Sequence, residues 1–103
     1  VTLTGKRMLF SKHVAMTVLF INSVPGYSCT LGDGMCKTGH KMDSFHYHGL
    51  AQDINLFYKG EYLTKTEDHQ FVGDYWKSLD SMNGWGGDFK NKDGNHYSYG
   101  EGK

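Results

Sequence analysis

The chain has little of what usually clamps a small domain. Its 103 residues include two cysteines and one proline, so no disulfide framework carries the fold. Cys29 and Cys36 read as reduced thiols, ahead of a single bridge closing a short loop. There is no surplus charge either: 11 Lys+Arg stand against 11 Asp+Glu. That balance speaks against a nucleic-acid binder, which needs clustered excess Lys/Arg. No apolar run approaches the ~20 residues of a membrane span. The run Val14–Ile21 follows Lys6, Arg7 and Lys12 as the core of a signal peptide would, but it lacks a small-residue cleavage site. It is expected to stay in the protein as a helix, in a chain made in the cytoplasm without a clear signal peptide. Repeats, linkers and low-complexity tracts are also missing, so residues 1–103 read as one domain.

What is present is aromatic and histidine-rich. Aromatic residues make up 15% of the chain and there are six histidines. Large rings can fill a core that a chain of this size otherwise struggles to build, and a metal would add a clamp. Residues 7–22 read as a helix with Thr4 as a possible N-cap and Met8, Val14, Val18 and Ile21 on its apolar face, widened by Leu9, Phe10, Leu19 and Phe20. Pro25 and Gly26 stop it. Tyr27–Leu31 is a strand candidate, and 32–43 a glycine-containing loop. Leu50–Phe57 is the clearest strand, with Ile54 and Leu56 on one face and Asp53 and Asn55 on the other. Tyr58–Gly60 is a turn from which Tyr62–Leu63 pairs back. Phe71, Tyr75, Leu79 and Met82 recur at helical spacing and predict a helix over 71–82. Asn83–Gly87 reads as a glycine-rich turn, and 88–98 as a loop ending in a strand. This order gives an α+β fold, a small antiparallel sheet with helices packed on one face.

The segment Ser44-Phe-His46-Tyr-His48-Gly-Leu-Ala-Gln-Asp53 carries the most chemical information. In a loop that runs into a strand, His46 and Asp53 can converge on one point. Asp93-Gly-Asn-His96 adds a third donor in His96 and a carboxylate three residues before it. Two imidazoles and one carboxylate suit a zinc ion with a fourth position open to water, whose pKa the metal lowers from ~15.7 towards ~7. Asp93 is then placed to take a proton from that water and return it to a leaving amine. The bland alternative for each is a solvated loop histidine (His46), a strand-edge carboxylate (Asp53) and a hydrogen-bonded core histidine (His96). His48 competes with His46 because it shares its face in an extended segment. His40 and His69 are expected at the surface. A metal nuclease built on His46, His48, Asn55 and His96 has loose spacing and the wrong charge balance.

Ser44-x-His46-x-x-Gly49-x-Ala51-x-Asp53, then Trp85-Gly-Gly87, then Asp93-x-x-His96-Tyr97 resembles the zinc D-Ala-D-Ala carboxypeptidase/dipeptidase family. That family includes bacterial carboxypeptidases, vancomycin-resistance dipeptidases and phage L-alanyl-D-glutamate endopeptidases. Ala51–Phe57, Tyr62–Asp68 and Asp93–Ser98 look most like its compact phage branch. The resemblance implies His46, Asp53 and His96 as zinc ligands and Asp93 as catalytic base, where many relatives have Glu. It implies a supporting hydrogen bond from Ser44, small residues at Gly49 and Ala51, and a cleft floor shaped by Trp85, Gly86 and Gly87. Lys37 stands one position away from the family's substrate-steadying arginine, and Lys is not its equivalent for gripping a carboxylate. Lys37, Ser44 and Trp85 are therefore the expected substrate contacts. The implied activity is hydrolysis of peptidoglycan stem peptides in the cell wall by a monomeric, phage endolysin-type enzyme. The expected bond is L-alanyl-D-glutamate. The alternatives are D-Ala-D-Ala carboxypeptidase activity and an inactive zinc-containing binding module, as hedgehog-type signalling domains resemble.

Overall fold

The structure is a computed structural model that describes residues 2–32 and 48–101. Helix α1 spans Leu3–Ser23. It starts earlier than the sequence suggests because Thr2, not Thr4, is its N-cap: the Thr2 hydroxyl accepts from Gly5 N at 3.0 Å. Its buried residues are Phe10, His13, Thr17 and Ile21. The expected apolar face is thus only partly correct, since Met8 is 67% and Leu19 72% exposed. Apolar residues surround this helix, so periodicity does not fix which side turns inward. The two polar residues on the inner side are satisfied there. The Thr17 hydroxyl donates to the His13 carbonyl at 2.9 Å, and His13 Nδ1 lies 3.3 Å from Asn83 Nδ2.

Strands β1 (Tyr27–Leu31) and β2 (Ala51–Tyr58) lie where the sequence places them, within one residue, and the return arm β3 is Glu61–Tyr62, one residue earlier than Tyr62–Leu63. A single 3-10 turn, Thr66–His69, leads into α2 (Gln70–Leu79). Helix α2 is shorter than expected and ends at Asp80, whose carboxylate accepts from Met82 N at 2.8 Å. Its buried side is Val72, Gly73 and Trp76. Phe71 and Tyr75 are half-buried, packed instead on Phe20, whose ring stacks on Tyr75 with centroids 4.1 Å apart. The expected turn at 83–87 is in fact strand β4 (Asn83–Trp85) followed by a 3-10 turn at Gly86–Asp88. The glycine at its centre hid it: a Cβ on Gly84 would come within 2.6 Å of the Glu101 carbonyl oxygen, so that one position of β4 has no room for a side chain. Strand β5 (His96–Tyr99) completes the sheet.

The sheet is antiparallel in the order β1-β2-β5-β4, with β3 also paired to β2. β3 and β5 therefore share one edge of β2 end to end. Ile54 and Leu56, each 1% exposed, enter a core with Ile21, Val72, Trp76, Trp85 and Tyr97. Burying groups of this size contributes roughly 1.5–3 kcal/mol each. The Trp76 indole N–H is shared between the Gly84 and Ser98 carbonyls, at 2.9 and 3.2 Å, so it ties α2 to both C-terminal strands. Asp53 and Asn55, one residue out of step, face the other side. No helix among the described residues is long and apolar enough to cross a membrane.

Candidate metal centre and active site

Register decides which side chains meet. Asp53 on β2 is the direct cross-strand partner of His96, the first residue of β5. Directly opposed residues in an antiparallel pair hold their Cβ atoms about 4.5–5.5 Å apart, so this register alone brings the carboxylate and imidazole together. His96 Nδ1 lies 3.6 Å from Asp53 Oδ1. Asp93 joins them from the turn before β5, which is closed by His96 N donating to the Asp93 carbonyl at 3.1 Å. One ligand atom from each of Asp53, Asp93 and His96 lies within 4.8 Å of the others.

The turn is locked from behind. Asp93 N and Phe89 N both donate to the Gly86 carbonyl, at 2.9 and 3.1 Å. A Cβ on Gly86 would strike the Asp93 carbonyl oxygen and come within 2.8 Å of His96 Cβ, so residue 86 has to be glycine for the turn to sit this close. Trp85 supports the same loop: its indole N–H donates to the Gly94 carbonyl at 2.8 Å. Its ring is wedged against Gly73 and Gly87, where any Cβ would collide with it. Trp85 was expected to touch substrate, but it is 1% exposed and packs beneath the turn that carries Asp93. His69, expected at the surface, is likewise core, at 1% exposure. Its Nε2 lies 2.9 Å from the Leu63 carbonyl, and its ring sits under Gly94.

The buried His96 faces a carboxylate at each ring nitrogen. Nε2 lies 2.5 Å from Glu101 Oε2, and the Phe89 ring flanks the imidazole with centroids 5.5 Å apart. Burial works against the imidazolium, but the hydrogen bonds and negative charges of Asp53 and Glu101 outweigh it and hold the His96 pKa above the usual histidine value. Burial also pushes the Tyr97 phenol far above its ordinary range, so it stays neutral in the core. Beside the cluster, on the open side of the sheet, Asn95 Nδ2 donates to Asn55 Oδ1 at 2.8 Å and to the Tyr62 hydroxyl at 3.0 Å.

Of the residues singled out in the sequence, Asp53, Asp93 and His96 come together. His46, Lys37 and Ser44, with His40 and Cys36, lie outside the described residues. His48 is exposed, and its carbonyl accepts from Arg7 Nε at 2.7 Å, pinning the start of β2 to α1. Among the described residues it does not join the cluster. The sequence motifs do not single out Glu101, which meets His96 at the site. No periodic signal marks it, because the chain reaches it by doubling back after β5.

The profile of a family described as D-alanyl-D-alanine carboxypeptidase matches residues 38–99, more than half of the chain. The chain belongs to that family. As a carboxypeptidase-family domain it also has the fold of a solved peptidase, the L-Ala D-Glu endopeptidase ChiX of Serratia marcescens. The TM-score is 0.70 at 14% identity, covering 87% of this chain and 77% of that one. No curated protein matches the sequence. The family read from the motifs and the α+β architecture read from the order of elements are thereby shown, and the matched span encloses Asp53, Asp93 and His96.

Proposed function

We propose that the protein is a zinc-dependent peptidase of bacterial peptidoglycan that hydrolyses the L-alanyl-D-glutamate bond of stem peptides, as a monomeric enzyme of the phage endolysin type. The observation that carries this reading is the convergence of Asp53, Asp93 and His96 in a chain of this family. The Asp53 carboxylate and the buried His96 imidazole, side by side, are donors of the kind zinc takes, so the residues present fit the metal. Asp53 and His96 would hold it, with His46 as the further ligand that the motif implies. When bound, zinc would supply Lewis acidity that polarises a carbonyl and acidifies water.

The chain's own residues supply the remaining steps. Asp93 is exposed beside a nearly closed His96, so its carboxylate can reach solvent and substrate. It takes the proton of the attacking water and passes it to the leaving amine, the part of a general base that becomes an acid. The turn held by Gly86 and Trp85 fixes its position beforehand, which matters because a displacement of ~1 Å can cost about 100-fold in rate.

The family's description favours a second reading, removal of terminal D-alanine from D-Ala-D-Ala ends. One experiment separates the two: mass spectrometry of purified peptidoglycan incubated with the zinc-loaded protein. New alanine C-termini paired with free glutamate N-termini support the endopeptidase. Released D-alanine supports the carboxypeptidase. Intact muropeptides, with or without a chelator, reject both and leave a binding module.

A further inference from the structure

Among the described residues, the contact between Glu101 and His96 is the shortest hydrogen bond at the site, and neither the motifs nor the family match accounts for it. The chain is built to make it. β5 ends at Tyr99, and Gly100 takes φ +93°, a left-handed conformation that L side chains rarely adopt, with its N–H donating to the Met82 carbonyl at 2.7 Å. This reversal returns residue 101 to the edge of β4, where its carbonyl lies so near Gly84 that a Cβ there would approach to 2.6 Å. The Glu101 carboxylate then lies against His96 Nε2, while Nδ1 of the same ring faces Asp53.

We propose that Glu101 is a positioning residue that holds the proton of neutral His96 on Nε2 and thereby presents the Nδ1 lone pair to the metal. The physical need is clear from the geometry. Both ring nitrogens face a carboxylate, and each carboxylate attracts the N–H. A proton on Nδ1 would fill the lone pair that must bind metal. Glu101 draws it to the far nitrogen and fixes the ring plane, as carboxylates behind metal-ligating histidines do. The proposal rests on the metal reading of the site and is independent of which bond is cut.

The test uses the full chain and the variants Glu101→Ala and Glu101→Gln. The tautomer of His96 is read in metal-free protein by long-range nitrogen–proton NMR at alkaline pH. Zinc affinity is read by competition with a chromophoric chelator. The wild type is expected to carry its proton on Nε2. In Glu101→Ala, Asp53 is the remaining carboxylate at the ring, so the proton moves towards Nδ1 and zinc binds about 10–100-fold more weakly. Glu101→Gln is isosteric and its amide oxygen still accepts from Nε2, so it keeps the tautomer and recovers much of the affinity. An unchanged tautomer and unchanged zinc affinity in Glu101→Ala overturn the proposal and leave the peptidase reading standing. The expected NMR and zinc behaviour without muropeptide hydrolysis does the reverse.

Discussion

Along β2, Ile54 and Leu56 point into a core closed by Trp76, Trp85 and Tyr97, whereas Asp53 and Asn55, one residue out of step, face the open side. The inner row is held by volume. Its neighbours are rings and glycines in contacts too close for an added methyl group, as Gly73 against Trp85 shows. The outer row is held by hydrogen bonds and charge, from Asp53 through His96 to Glu101 and from Asn55 through Asn95 to Tyr62. One strand therefore serves a structural and a chemical role through its pleat, and the two should come apart under substitution.

The largest effect is expected on the chemical side. Asp93→Ala should lower muropeptide release by about 10²–10⁴-fold, the usual share of a general acid–base group. Because Asp93 is exposed, the melting temperature should hardly move and zinc should still bind. Loss of zinc with activity would make Asp93 a ligand rather than the base. Gly86→Ala tests the junction between the two sides. The new methyl group must displace the Asp93 turn, so stability should fall by about 1–3 kcal/mol in urea unfolding. Activity should fall further than the unfolded fraction explains, because the turn carries Asp93 and leads into His96.

The residues of the cluster also show what the sequence makes legible. Asp53, Asp93 and His96 could be picked out because their types and spacing are chemical, and the period-two alternation of β2 already put Asp53 on the face away from Ile54. What stayed hidden has physical causes. Helix α1 scatters its apolar residues around its circumference rather than on one face, so nothing in its pattern says that His13 and Thr17 face inward while Met8 and Leu19 do not. Strand β4 reads as a turn because Gly84 stands where the backbone of residue 101 presses close. His69 looks like a surface histidine until the turn before α2 tucks it under Gly94. Glu101 acts through a reversal at Gly100 that brings together residues with no shared periodicity.

On the structural side, Ile54→Val removes one methyl group from the core and should cost about 0.5–1.5 kcal/mol. Zinc affinity and kcat should stay at wild-type values. A change in either would mean that packing on the inner row tunes the position of Asp53, and the two faces would then be coupled rather than merely adjacent.

Asn95→Ala gives the smallest effect and the finest division, because it lies within the open face itself. Asn95 directly precedes His96 yet donates its side-chain bonds away from the cluster, to Asn55 and Tyr62. Its backbone carbonyl, which accepts from Ile54 N at 2.9 Å, stays in the variant, so the β2–β5 register survives. The loss should be about 0.5–1.5 kcal/mol, the net worth of ordinary hydrogen bonds partly open to water, seen as a melting temperature lower by several degrees. Zinc affinity should be unchanged, since His96 is held by register, by Phe89 and by Glu101 rather than by the amide beside it. Weaker zinc binding in Asn95→Ala would show that the polar network continues into the metal centre, and the open face would then act as one unit from Tyr62 to Glu101.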